Sequence, residues 1–434
     1  MLYPPAAMAD HERLTEAAKI LKKADAQVNI LRALEWPARI KKRFFARGAK
    51  EPPKVSYPKR DLSAVHEAVA RAVALVPGSS EVDEYVRRQA QCIDVSARLI
   101  ESAGSPDFFE HSVELYGLPT SPLVDGKSTS LQLAMRIDKI LNELAPSTLG
   151  PSPKRLNAHQ IAERIQHSVD SLLGDQAPRV IVAENMAAKA AARTDRIRLR
   201  ANAEFTTEDV NQLVMHEAMV HIATSLNGKR QKKVPLLAAR HAGTTRTQEG
   251  LAVFSELISG SLGPNRLQRL SDRVLAIQMS IDGADFLDLY RFFLERSDTG
   301  DEQGAFEDAR RIVRGGLIGG GAPFTKDGVY LDGLLRVHNF LRSIVELRRP
   351  DLMPLLFCGK LDIEDLPALA VLRGQKLVRA PRHLPPWAED RRFIVSYLTY
   401  SGFLNRIRLK PVRAHYASLL GRCAPVAFPT ERRK

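Results

Sequence analysis

Two histidines five residues apart, with a carboxylate motif not far downstream, constrain this chain more than any other feature. The segment His216-Glu217-Ala218-Met219-Val220-His221 is followed by Thr247-Gln248-Glu249-Gly250-Leu251-Ala252. Two imidazoles and a carboxylate are the ligand set of catalytic zinc sites that keep a fourth position open for water, and the Glu beside the first His is a ready general base. On a regular helix the i+4 residue returns to about 40° from the starting direction, whereas i+5 overshoots to about 140°. Both rings therefore reach one metal only if the helix widens. A π-type turn absorbs one extra residue, and small Ala218 and flexible Met219 leave room for it.

By itself HExxxH is a weak pattern, and a helix carrying two unrelated histidines satisfies it equally. The second segment adds weight. Thr247 is expected to cap a helix opening at Gln248, with Glu249 in its first turn and Glu256 two turns further along the same face. His241, in Ala-Arg-His-Ala-Gly between the two segments, competes for the third ligand position. Glu249 is preferred because a helix end fixes a ligand better than a Gly-containing loop, which leaves His241 solvated.

The surroundings read as mainly helical. Residues 10–34 carry Leu14, Ala17, Leu21, Ala24, Val28 and Leu31 at helical spacing. Residues 61–178 read as helical hairpins broken at Pro119, Pro122, Pro146, Pro151 and Pro153, with Met135, Ile137, Ile140 and Leu141 expected in the core. Val180-Ile181-Val182 is a short strand, and residues 196–201 alternate Arg196, Arg198 and Arg200 with apolar side chains at the strand period. That second strand is expected at a sheet edge, where a substrate backbone can add to it and Arg200 can contact substrate. Thr206 or Thr207 then caps the helix carrying His216, with Glu208 and Asp209 in its first turn. The expected division is 1–60, an N-terminal helix and basic Pro-rich segment; 61–178, a helical subdomain; and 179–434, the metallopeptidase core.

With 44% hydrophobic and 26% charged residues, the composition is that of an ordinary soluble chain. It holds no apolar run of membrane-spanning length. The first residues have neither the basic start nor the apolar core of a signal peptide, and Cys92, Cys358 and Cys423 suggest no disulfide framework. The expected compartment is the cytoplasm. The net charge of +14 raises a nucleic-acid reading, centred on the run from Arg39 to Arg60 among Pro37, Pro52, Pro53 and Pro58. No nucleic-acid-binding motif accompanies that run. It reads as an extended, solvated linker, with attraction of acidic peptides as its functional version.

The segments HEAMVHIATSLNGKRQ, TRTQEGLAVFSE and RIVRGG with FTKDGVYLDG resemble the QEGLA-motif family. Its bacterial members are named flavohemoglobin expression-modulating QEGLA motif proteins, and its animal relatives include the microtubule-associated tyrosine carboxypeptidases. The likeness runs over about residues 60 to 400. It implies zinc held by His216, His221 and Glu249, with Glu217 as base. Removal of a C-terminal tyrosine from tubulin, the animal activity, does not transfer with the motif, since chemistry is shared more widely than substrate. The glycines from Gly315 to Gly321 match no phosphate-loop pattern. A carboxypeptidase needs a cation for the terminal carboxylate and a donor for the oxyanion, and the resemblance favours Arg314, Lys326 and Tyr330 for these tasks. His338, among apolar neighbours, is expected in the core or behind the ligands.

The resulting expectation is an α+β, mainly helical fold with a zincin-like metallopeptidase core and a small sheet before the active-site helix. Its function would be zinc-dependent peptide-bond hydrolysis at peptide or protein C-termini. The alternatives are a non-catalytic regulatory or binding protein that retains a zinc site, and a basic nucleic-acid-associated regulator.

Overall fold

The computed structural model describes residues 10–144, 153–184, 186, 189–297, 300–420 and 422. Pro146, Pro151, Cys423 and the first nine residues lie outside them. The fold is α+β and mainly helical. Helix α1 (Asp10–Asp25) buries Leu14, Ala17, Leu21 and Ala24 as the periodicity requires, but it stops nine residues earlier than expected. Asn29 accepts a hydrogen bond from Arg32 N and starts a separate turn, α2 (Ile30–Ala33), so Leu31 ends up 45% exposed. The basic run is not extended throughout either. Residues Ala38–Ala46 form α3, because Phe44 gains a buried seat against Phe286, Tyr290 and Phe306. Only the stretch from about 50 to 62 has no helix or strand.

The expected hairpins follow as α4 (Ser63–Ala74), α5 (Glu81–Glu101), α6 (Asp107–Tyr116) and α7 (Ser130–Glu143). Capping boxes at Ser80/Asp83 and Thr129/Gln132 fix the starts of α5 and α7. On α7 the inward face is Ala134 and Ile137. Met135 and Ile140 point outward, 58% and 46% exposed, and Leu141 packs only at the core margin.

Strand β1 (Arg155–Leu156) and helix α8 (Ala158–Leu173) lead into β2 (Arg179–Ala183), β3 (Ala190–Arg193), β4 (Arg196–Arg200) and β5 (Phe205–Thr206). The two predicted strands exist, yet 196–200 is the centre of a three-stranded sheet ordered β2-β4-β3, not its edge. Ile197 and Leu199 are fully buried beneath it, against Ile161, Ile165 and Val169 of α8. The edges are β2 and β3, and the alanine run of β3 carries no β-propensity signal and forms a strand because β4 pairs with it across a tight turn.

The chain continues through α9 (Thr207–Leu213), a widened helical stretch, α10 (Ala223–Lys229), α11 (Thr245–Ile258), α12 (Pro264–Ile281), α13 (Phe286–Glu295), α14 (Glu302–Val313) and α15 (Val329–Glu346). After these come α16 (Leu366–Gly374), α17 (Pro386–Glu389), α18 (Arg392–Leu404) and α19 (Leu409–Leu420). The largest core joins residues from Leu14 to Leu398. Among the described residues no helix is long and apolar enough to cross a membrane.

Helices α11 and α15 make the closest crossing that bears on the site. A Cβ added to Gly250 would lie 2.3 Å from the Gly333 carbonyl, and one on Gly333 would lie 2.3 Å from Arg246 O. The two glycines let the backbones touch, which seats Glu249 opposite the start of α15. Gly250→Ala or Gly333→Ala is therefore expected to cost about 1–3 kcal/mol of overpacking, read as a lowered denaturation midpoint. An unchanged midpoint would show that the crossing tolerates a methyl group.

Candidate metal centre and its cavity

The helix bearing both histidines is built to start cleanly and then widen. Thr206 and Asp209 form a capping box, with Thr206 N donating to Asp209 Oδ2 at 2.7 Å, and Glu208 adds a second acid to the first turn. From Val214 to Ile222 the backbone is π-helical before it reverts to α10. This is the widening that the five-residue spacing demands. A π-turn brings i+5 over i, and the rings of His216 and His221 sit with centroids 4.9 Å apart on one side of the helix.

Glu249 completes a triangle. Its Oε2 lies 3.6 Å from His216 Nε2 and 3.4 Å from His221 Nε2, and the three atoms fall within 4.8 Å of one another. Helix α11 reaches this point by starting at Thr245, earlier than expected. Thr247 is inside it and caps nothing; its hydroxyl donates to Asp362 Oδ2 at 2.8 Å. Glu256, two turns on, is fully buried and accepts from His216 Nδ1 at 2.6 Å while Arg266 grips both its oxygens at 3.0 Å. That bond puts a ring proton on Nδ1 and aims Nε2 toward Glu249.

These residues fit a divalent cation. Glu249 Oε2 is buried with no hydrogen-bond partner although two ring nitrogens face it. Burial works against a charge on His216, but the carboxylates of Glu249 and Glu256 outweigh it and push the ring up to about 10. Burial likewise raises Glu249, yet the facing His221 and His216 hold it well below the usual carboxylate range. Positive charge is thus favoured on His216 beside the two carboxylates, while burial lowers His221 and keeps that ring neutral. Two imidazole nitrogens and one carboxylate are also the donor types of an open zinc site.

His241 is not solvated. It is 4% exposed, its ring lies outside the converging triangle, and burial pushes it down to about 4. The third position of the cluster belongs to Glu249. His338 packs on Phe254 and Tyr397, consistent with a core role.

The triangle opens into a cavity of about 470 Å³. Ala190, Ala191 and Ala192 of β3 form one margin, and Glu217 shares the floor with His216 and His221. The lining is strongly cationic, with Arg240, Arg310, Arg311, Arg314, Lys326 and Lys360. Arg311 is consumed by a bidentate pair with Asp327, at 2.6 and 2.9 Å. Arg314 differs: its guanidinium rests 5.6 Å from the Phe324 ring centroid, and its Nε is buried without a hydrogen-bond partner. Lys326 Nζ stands 3.9 Å from Glu249 Oε1 and 5.6 Å from the centroid of Tyr330, whose ring stacks beside His216. Burial and the Glu249 charge raise the Tyr330 phenol, which keeps it protonated as a donor.

The glycine run explains how Arg314 and Lys326 share a wall. Gly315 has φ 83° with its missing Cβ facing Phe108 at 2.4 Å, and a Cβ on Gly316 would lie 1.9 Å from Ala322 O. The chain can fold back there only without side chains. Arg200, expected to touch substrate, ends the inner strand β4 and is not among the cavity-lining residues.

Sequence reasoning did not find Lys360. Its ammonium is buried, donates to His221 O at 3.0 Å and to Gln248 Oε1 at 2.8 Å, and is pushed down to about 7 by burial and by Arg240. A lone Lys after Gly359 carries no motif. Its placement rests on a close approach, since a Cβ on Gly359 would lie 2.5 Å from Leu237 O.

Fold and site together define a mainly helical α+β protein with a buried His-His-Glu cluster at the base of a basic cavity. Residues 42–406 match the family described as microtubule-associated tyrosine carboxypeptidase, and the chain belongs to that family. No curated protein matches the chain. Because Glu256 orients His216 without being one of the converging ligands, Glu256→Ala is expected to weaken binding of added Zn²⁺ about 10- to 100-fold. Competition titration against a chromogenic chelator measures this, and an unchanged affinity would remove Glu256 from the ligand support.

Proposed function

We propose that this chain is a zinc-dependent carboxypeptidase with a zincin-like core, acting on peptide or protein C-termini. The observation that carries the proposal is the convergence of His216 Nε2, His221 Nε2 and Glu249 Oε2 within 4.8 Å, in a cavity that also holds Glu217 and the cation Arg314. Membership of a carboxypeptidase family supports the same reading. A cytoplasmic setting goes with Cys92 and Cys358 being free thiols.

Zinc, when bound by His216, His221 and Glu249, would polarise the scissile carbonyl and acidify a water molecule. Glu217 is the neighbour of a ligand and lines the same cavity, which suits it to accept the proton of the attacking water. As the water oxygen bonds to the carbonyl carbon and the C–N bond breaks, the same carboxyl returns the proton to the leaving amine. The Tyr330 phenol, protonated and beside His216, is the donor available to the developing oxyanion. Arg314, with Lys326 behind it, takes the terminal carboxylate and so selects the last residue of a chain. The unpaired side of β3 offers the substrate backbone an edge for strand addition, the role the sequence assigns to the neighbouring strand.

Five substitutions and a peptide library test this. His216→Ala, His221→Ala and Glu249→Ala are each expected to lose zinc in metal analysis, whereas His241→Ala keeps it. Glu217→Gln should keep zinc while turnover falls by about 10²- to 10⁴-fold. With wild-type protein, mass spectrometry should find free-ended peptides shortened from the C-terminus and amidated ones spared. Undiminished turnover in Glu217→Gln, or zinc-loaded protein that cleaves no free-ended peptide, would favour a regulatory protein with a retained metal site.

Arg314→Ala separates specificity from chemistry. It is expected to raise KM for free-ended peptides more than it lowers kcat, because the lost contact is made in the ground state as well as in the transition state. A loss confined to kcat would place Arg314 at the reacting centre instead.

A further inference from the structure

Helices α18 and α19 carry the most concentrated exposed apolar surface of the molecule. Nine of the eighteen large apolar side chains exposed among the described residues lie between Phe393 and Leu420. Phe393, Tyr400, Phe403 and Leu420 are each at least 60% exposed. Single exposed apolar residues are ordinary, but half of them gathered on two adjacent helices mark an interaction surface. The patch is anchored to the body, since α18 buries Ile394 and Leu398 in the main core and Tyr397 stands against His338. Helix α19 buries nothing.

The sequence of α19 gives that exposure a direction. At about 100° per residue, Leu409, Val412, Tyr416, Leu419 and Leu420 fall within an arc of about 100°, and Lys410, His415 and Ser418 lie outside it. Arg413 sits at the border of the arc, where a long side chain lays its stem on an apolar phase and keeps its charge in water. A helix of this length without tertiary packing is marginal in water, so the apolar arc calls for a cover.

Charge restricts what the cover is. From Arg391 to Arg422 the sequence holds seven Lys or Arg and no Asp or Glu. Arg392 pairs with Asp390, but Arg406, Arg408, Lys410 and Arg413 form no ion pair with a described residue. A second copy is disfavoured, because a two-fold contact would set this cationic surface against itself. An acidic protein would satisfy the charges, yet it would also have to supply pockets shaped to each aromatic anchor. An anionic bilayer meets both demands, since its headgroups face the cations and its fluid acyl boundary accepts Phe, Leu and Tyr without fixed complementarity. Among the described residues no helix is long and apolar enough to cross it, so the contact is peripheral.

We propose that α18 and α19 form a membrane-docking surface for anionic phospholipid, with the apolar arc of α19 and the exposed aromatics of α18 entering the headgroup region. The surface is separate from the metal-type cavity, whose lining includes no residue of either helix, and it does not rest on the peptidase reading.

The test is flotation of the full chain with vesicles of phosphatidylcholine alone, or of equal parts phosphatidylcholine and phosphatidylglycerol. Binding is expected only to the mixed vesicles, and added salt should weaken it. Because the whole chain is basic, insertion must be separated from charge attraction. Leu409→Ser with Leu420→Ser keeps every charge and is expected to weaken binding about tenfold or more. Combined Arg406→Gln, Arg408→Gln, Lys410→Gln and Arg413→Gln should also weaken it about tenfold or more. Removing the same charge from the exposed Arg39, Lys42, Arg43 and Lys50 should leave binding near wild type. Thermal midpoints verify folding, and Tyr416→Trp adds a reading without loss of binding, an emission that shifts to the blue on mixed vesicles. No binding to mixed vesicles, binding unchanged in both α19 variants, or an equal loss in the N-terminal variant overturns the proposal. So does a lipid-independent oligomer that Leu409→Ser with Leu420→Ser dissolves, which gives the face to a second copy. Capture of polyglutamate through the four cations, without vesicle binding, gives it to an acidic protein and overturns the proposal as well.

Discussion

A carboxylate held against two buried imidazoles is the interaction around which the rest of this structure is arranged. Burial alone would leave Glu249 protonated and both rings neutral, but facing one another they keep Glu249 ionised and raise His216, while His221 stays lowered. Three separate devices are needed to hold that arrangement. The π-helical stretch from Val214 to Ile222 aligns the two rings, the glycine contact between α11 and α15 brings Glu249 to them, and the Glu256–Arg266 pair fixes the first ring's tautomer. Two of the three draw on α11, through Gly250 and Glu256, and no one of them makes the cluster alone.

The cavity above the cluster is lined by several cations. They include Arg314, a guanidinium resting on an aromatic face, while Arg311 beside it is neutralised by Asp327. Of the neighbouring guanidinium groups, the one not already committed to a carboxylate is the one suited to recruit one. Strand β3 adds the backbone groups of a sheet edge to the same lining.

What was legible in the sequence was whatever depends on local spacing. Five residues between His216 and His221 require a π-turn by geometry, and one is present. Apolar periodicity located α1, the hairpins from α4 to α7, and strands β2 and β4. What tertiary contact decides was not legible. Ala190–Arg193 becomes a strand only because β4 pairs with it, and that addition turns β4 from an edge into a centre. The basic run forms α3 because Phe44 has an aromatic pocket to enter. His241 is buried where Gly243 lets its ring and Cys92 close on the backbone, contacts that no periodicity encodes.

The departures from ordinary local structure concentrate around one place. Elsewhere the chain follows the usual rules: capping boxes open α5, α7, α8 and α13, and apolar faces meet in contiguous cores. At the cavity are found a π-helix, backbone contacts that exclude any Cβ, a buried lysine without a carboxylate partner, and orphaned polar atoms on His241, Gln248, Glu249 and Arg314. Each of these is unfavourable for folding alone, and a sequence shaped only for stability would replace them with apolar residues of similar volume. The π-helix and the buried Lys360 meet at this one cavity, in an otherwise regular helical protein, where the His216, His221 and Glu249 side chains converge.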